Sequence, residues 1–259
     1  MASKPDISRL RVDIDRVDKA LLGLIAERLG LAAQVRASKS GMRVWRPSRE
    51  ESHVRELAEA AGTTSPELVS RIMAELMSAS LAIQGPMVLH IALEGDAQSL
   101  AALVRDRFGA SIPFRHYPTT SAALAATLAD PEGVAILPAP GGMHRWWNAL
   151  LPGGAMEGLN ILAGLPRTGA QDWPRAVAVA GADIAPSGPQ DRSLIAVKHE
   201  DISAAKTLEP KATLRAEAGE YRLYHWPEYV AQDTLGEIKS KVPSAFIIGV
   251  LPPSLGQSQ

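Results

Sequence analysis

Apolar residues recur in steps of three and four along the N-terminal stretch: Ile7, Leu10, Ile14, Val17, Leu21 and Leu24, then Leu31 and Val35. This is a heptad seam of period 3.5, and it predicts one helix from about Asp6 to Lys39. The seam has one break. Position 28, where the series calls for an apolar side chain, is an arginine. At about 1.5 Å per residue the helix would be roughly 50 Å long, whereas a compact domain of that size is only about 30 Å across. A helix of this length should not fold back on its own short domain. The pattern therefore predicts pairing with a second copy of the chain, the alternative being a helix laid along the rest of the molecule.

Two shorter helices follow. In "RPSREESHV" Ser48 and Glu51 have the spacing of a capping box, which places a helix start at Ser48 and its end near Ala61, before Gly62. In "TSPEL" Ser65 has the position of an N-cap with Pro66 as the first helical residue. The apolar stripe of this third helix reads Val69, Ile72, Leu76, Ala79 and Ile83, with Ser80 and Gln84 four apart beside it.

From "QGPM" (84–87) onward the texture changes. Gly and Pro become frequent, and short apolar runs ("VLHIAL", "GVAILPAP", "LNILAGL", "RAVAVAG", "SLIAV", "AFIIGVL") predict buried strands between helices and turns. The pattern divides the chain into a helical unit at 1–86, an α/β unit at 87–185 and a second at 186–259, with "GADIAPSGPQD" (181–191) as a loop or boundary. "APGGMHRWW" (139–147) reads as a turn anchored by tryptophan, or as a binding loop.

The chain has 259 residues, is 46% hydrophobic and 21% charged, and carries a net charge of -1, enough for a sizeable core and no signature of nucleic-acid binding. It has no cysteine, and its six histidines are scattered, so neither a disulfide framework, nor thiolate chemistry, nor a metal site is expected. The charged N-terminus and the absence of a long apolar run predict a cytoplasmic protein that does not enter a membrane.

The chemistry in the pattern is cationic. Lys39 lies eleven residues after Arg28, three helical turns on and within about 20° of the same face. A buried unpaired cation costs several kcal/mol, so each needs a partner: an acidic residue of a neighbouring helix, the solvent, or a ligand. Arg11 lies beside the seam, and Arg49 falls in the first turn of the second helix, where the helix dipole also favours an anion. These cations outnumber the obvious acids nearby, which fits a small ligand with two carboxylates.

The stretches "LRVDIDRVDKALLGLIAERLGLAAQVRASK", "RPSREESHV" and "SASLAIQ" resemble an all-helical chorismate mutase over residues 6–84. The resemblance implies a three-helix domain forming an intertwined homodimer that converts chorismate to prephenate. It implies that Arg28 and Arg49 hold the two carboxylates, with Arg11 reaching in from the partner subunit. Lys39 and Gln84 would bond the breaking ether oxygen, Glu50 the ring hydroxyl, and Ser80 would support a carboxylate. Arg46 stands where some such enzymes carry an acid, as in the versions fused to prephenate dehydratases. The reaction is pericyclic and requires no cofactor, metal or nucleophile, only confinement and a fixed positive donor at the ether oxygen. On this basis residues 1–86 are expected to be active as a dimer without the remainder.

Residues 87–180 resemble, more weakly, the periplasmic-binding-like lobe of prephenate dehydratase. The family's Thr-Arg-Phe is absent, "DRSL" with Arg192 being its nearest echo. Residues 192–255 resemble an ACT-like βαββαβ unit, for which an aromatic amino acid is a candidate effector. The fold expected is thus multidomain, α followed by α/β. The competing functions are a non-catalytic sensor of a shikimate-pathway metabolite or partner-binding protein, an isochorismate-pyruvate lyase on the same scaffold, and a bifunctional mutase/prephenate dehydratase.

Overall fold

The computed structural model describes residues 6–38, 43–201 and 211–256. Helix α1 runs Ile7–Ser38 as one uninterrupted element. Every residue from 6 to 24 is exposed, and the helix meets the rest of the chain through its C-terminal half, where Ile25, Arg28, Leu29 and Ala32 are half-buried and α3 is its packing partner. The seam residues Leu10, Ile14, Val17, Leu21 and Leu24 are 45–62% exposed. The predicted length is therefore present, and the helix does not fold back.

Helix α2 spans Pro47–Ala60, but the predicted capping box does not form. Arg46 occupies the cap position without a side-chain cap bond, Ser48 lies inside the helix, and Glu51 is turned into the protein. Pro47 at the first turn removes one of the donors a cap would serve. The Glu51 carboxylate instead meets the guanidinium groups of Arg55, Arg107 and Arg167, and such charge-assisted bonds outweigh a neutral cap.

Helix α3, Pro66–Gln84, starts as predicted, the Ser65 side chain accepting from the Leu68 amide. Its buried face overlaps the predicted stripe only in part, at Val69, with Leu76 and Ala79 half-buried. Val69, Ser70, Met73, Ala74, Ser78 and Leu81 are buried, whereas Ile72 and Ile83 are each 48% exposed. The small residues at 70, 74 and 78 let helix α4 (Ala97–Phe108) approach closely. Its C-terminal Gly109 has φ +62°, and a Cβ there would lie 2.6 Å from Ser78 Cβ and 2.7 Å from the Ala74 carbonyl. Small side chains set how closely α4 approaches, while Val69, Met73 and Leu81 bury apolar surface on the same helix.

All six apolar runs form strands, joined in one nine-stranded sheet of order β2-β1-β3-β5-β4-β9-β6-β8-β7. Strand β1 (Val88–Ile91) lies parallel to β2 (Phe114–His116) and β3 (Gly133–Pro138), with helix α5 (Thr120–Ala129) between β2 and β3 in the chain. Strand β5 (Ala176–Ala180) is antiparallel between β3 and β4 (Asn160–Leu165). Its sequence AVAVA is buried throughout, as befits a central strand covered on both faces.

Strands β6 (Arg192–Lys198), β7 (Thr213–Ala218), β8 (Tyr221–Trp226) and β9 (Phe246–Leu251) are mutually antiparallel in the order β9-β6-β8-β7. Helix α6 (Gln232–Lys241) precedes β9. The helix expected between the first two of these strands falls on residues 202–210, outside the described residues. Strand β9 joins β4 at Ile161↔Gly249. A Cβ at 249 would stand 2.4 Å from the Ile161 carbonyl, so glycine is what closes the two parts into one sheet. The 139–147 loop is a turn at Gly141–His144 followed by the buried Trp146 and Trp147, in keeping with the tryptophan-anchor reading. Residues 181–191 form an irregular connection between β5 and β6.

Candidate active site

A cleft of about 550 Å³ opens between the C-terminal half of α1, the start of α2 and the end of α3. Arg28 explains its place in the seam here. Its Nη1 donates to the Leu76 carbonyl at 2.9 Å and to Ser80 Oγ at 2.7 Å, and Ser80 in turn donates to the same carbonyl at 2.7 Å. Among the described residues no carboxylate pairs with Arg28. Partial burial lowers its pKa, so the site holds a positive charge that a ligand would stabilise.

Arg28, Arg49, Glu50, Ser80 and Gln84 all line this cleft. Arg11 does not: it is exposed on the free half of α1, seventeen residues and roughly 25 Å from Arg28 along the helix. Lys39 lies outside the described residues. Arg36, Arg43 and Arg46 also line the cleft, giving five arginines against Glu50 and Glu56. Arg36 was legible in the sequence, two steps of four beyond Arg28 on the same helix face. Arg43 had no such signal. A volume of this size lies within the range of small-molecule sites, and the surplus of positive charge selects an anion.

The model of the chorismate mutase type II family matches residues 10–85. Residues 10–85 form a chorismate mutase type II domain. The chain is 41% identical over 80 residues to the T-protein of Enterobacter agglomerans, a match covering 29% of this chain and 21% of that one. It is 32% identical over 123 residues to a bifunctional chorismate mutase/prephenate dehydratase of Stutzerimonas stutzeri, covering 43% and 33%. The chain thus spans about a third or less of the length of these curated relatives. Among solved structures it is similar to a prephenate dehydratase in complex with L-Phe from Arthrobacter aurescens, at 11% identity and TM-score 0.45, over 65% of this chain and 90% of that one.

The mutase domain is fastened to the α/β region beside its cleft. Trp45 packs on Phe108 at 5.6 Å between ring centroids, and the Val44 amide donates to Glu132 at 2.8 Å. Behind them lies a buried charge cluster. Arg107 Nη1 reaches Glu51 Oε2 at 2.6 Å, and Arg167 Nε reaches the same oxygen at 3.1 Å. Arg167 also bonds Glu50 through Nη2, and Arg107 Nη2 lies 3.6 Å from that Glu50 oxygen. Burial alone would push the Glu51 carboxyl up. The Arg107, Arg167 and Arg55 guanidinium groups outweigh it and hold the pKa at about 2. No local pattern announces Arg107 or Arg167; the first lies on α4 and the second just after β4.

A second cleft, about 30 Å³, lies on the far side of this cluster, lined by Arg107, Arg167, Trp173, Arg192 and His225 among others. It admits about two water molecules, far less than the volume needed to enclose a ring-bearing substrate. His225 stacks edge-on against Trp173 at 5.2 Å. Burial, with the nearby Arg215 and Arg192, pushes its pKa down to about 4.

Proposed function

We propose that the chain is a chorismate mutase whose 550 Å³ cleft binds chorismate and rearranges it to prephenate in aromatic amino-acid biosynthesis. The observation that carries this reading is Arg28. It is half-buried on α1, oriented by Ser80 and the Leu76 carbonyl, without a carboxylate partner among the described residues, and faces Arg49 and Gln84 across the cleft. Arg28 and Arg49 hold the two carboxylates, Ser80 fixes Arg28, and Glu50 accepts from the ring hydroxyl. Gln84 and Lys39 bond the ether oxygen as negative charge builds on it. A preorganised cation there stabilises the transition state more than the ground state, which is what accelerates the step.

A second copy of the chain covers the exposed seam of α1 and brings Arg11 into the cleft. The length of α1 and the exposure of residues 6–24 support this. The strand succession of 192–251 supports an ACT-like unit, for which an aromatic amino acid is a candidate ligand. The 123-residue match to the bifunctional relative is longer than the mutase segment and favours a second reading, residual dehydratase activity, against which the small second cleft weighs.

The test is loss of chorismate ultraviolet absorbance with product analysis, on the full chain and on Lys39→Ala. Prephenate from the parent and a fall of about 10²–10³ in rate for the variant are expected. Phenylpyruvate formed without added acid would establish the bifunctional reading. Binding of chorismate without turnover would make the protein a sensor.

A further inference from the structure

We infer that Arg167, a residue of the α/β region, is a positioning residue of the mutase cleft, acting through Glu50. The inference rests on the proposed mutase activity and adds to it a contribution from the α/β region, so that residues 1–86 alone would not reach the activity of the full chain.

Glu50 lines the cleft, yet one oxygen of its carboxylate is held from outside the helical domain. One oxygen accepts from Arg167, and the other accepts from Trp45 Nε1 at 3.1 Å. Arg167 is itself 2% exposed and is fixed by its second bond to Glu51. The guanidinium is rigid and spans two adjacent carboxylates, a geometry that lysine's single ammonium does not reproduce.

The alternative fate of Glu50 shows why this matters. Five arginines line the same cleft, among them Arg49, the preceding residue in the chain. A carboxylate released at the cleft wall would pair with one of them and remove a charge meant for substrate. It would also oppose the approach of a dianion. Tied to Arg167 and Trp45, it stays against the wall with its remaining lone pairs available to a hydroxyl donor, since each carboxylate oxygen can accept two bonds. Arg107, at 3.6 Å from Glu50 and 2.6 Å from Glu51, supports the arrangement from α4. Residues 1–86 alone contain neither arginine, so the isolated helical segment would carry Glu50 and Glu51 without Arg107 and Arg167.

The test is a double-mutant cycle on the full-length chain, with kcat and KM for chorismate measured for the parent, Arg167→Met, Glu50→Gln and the double variant, and folding checked by tryptophan fluorescence. Arg167→Met is expected to lower kcat/KM about tenfold, chiefly by raising KM. In the Glu50→Gln background the same substitution should change kcat/KM by less than about twofold, because the group it acts through is no longer charged. If Arg167→Met does not fold, Arg167→Lys replaces it in the cycle, keeping the charge but not the double contact. Equal losses in both backgrounds, or no loss in a folded single variant, overturn the inference while leaving the mutase reading intact. A parent protein that does not turn over chorismate overturns both.

Discussion

Substituting Glu51 by Gln tests the buried charge cluster that joins the helical domain to the sheet. Glu51 is 1% exposed and contacts Arg55 at 2.8 Å, Arg107 at 2.6 Å and Arg167 at 3.1 Å. Its carboxyl sits at about 2 against an ordinary 4.5. At about 1.4 kcal/mol per pH unit, the ionised form is worth about 3 kcal/mol to the fold at neutral pH. An independent route gives a similar figure: removing one member of a buried ion pair costs about 3–5 kcal/mol, because its partners remain buried and uncompensated.

Because the folded pKa is depressed, this stability is complete above about pH 4.5 and is lost as pH falls toward about 2. Urea unfolding of parent and Glu51→Gln should therefore differ by about 3 kcal/mol at pH 7. The difference should shrink steadily between pH 4.5 and 2 as the parent's own carboxylate is protonated. A gap below about 1 kcal/mol at pH 7, within the range of an exposed pair, would refute the reasoning. So would a gap that stays constant down to pH 2, which would point to shape rather than charge.

Three further outcomes are expected. Arg11→Ala and Arg28→Ala should each be inactive toward chorismate, but mixing and re-equilibrating the two should restore about a quarter of the parental activity, one intact site forming in each mixed dimer; no recovery would refute the sharing of sites, and Leu21→Glu with Leu24→Glu should turn the dimer into a monomer in sedimentation equilibrium. His225, 6% exposed with its pKa lowered to about 4, should take its proton first in the unfolded chain, so stability should fall as pH drops from about 6.5 toward 4; by pH 5 the cost should be about 2 kcal/mol, absent in His225→Asn when urea midpoints are compared.

The sequence went furthest where local periodicity carries the information. The heptad steps of α1 are a property of the helix itself, and they yielded its length, its failure to fold back and the anomaly at Arg28. The apolar runs yielded six strands, because a strand covered on both faces must be apolar throughout. Of the cleft residues, Arg28 stood out in the seam and Arg49 at the start of its helix, whereas the places of Glu50, Ser80 and Gln84 in a site came from the family resemblance; the structure brings all five to one cleft.

The capping box and the stripe of α3 were misread for a common reason. Both looked complete within one helix, and both were outweighed by partners distant in sequence. Arg107 and Arg167, with Arg55 one turn along the helix, drew Glu51 away from the helix end, and close contact with α4 buried the small residues 70, 74 and 78 of α3 beside Val69, Met73 and Leu81. Which sheet edge β9 would join, and that Arg107 and Arg167 would meet behind Glu50, followed only from tertiary packing. A buried charge must find its counter-charge wherever the fold places it, and nothing in the spacing of residues 50, 107 and 167 records that meeting.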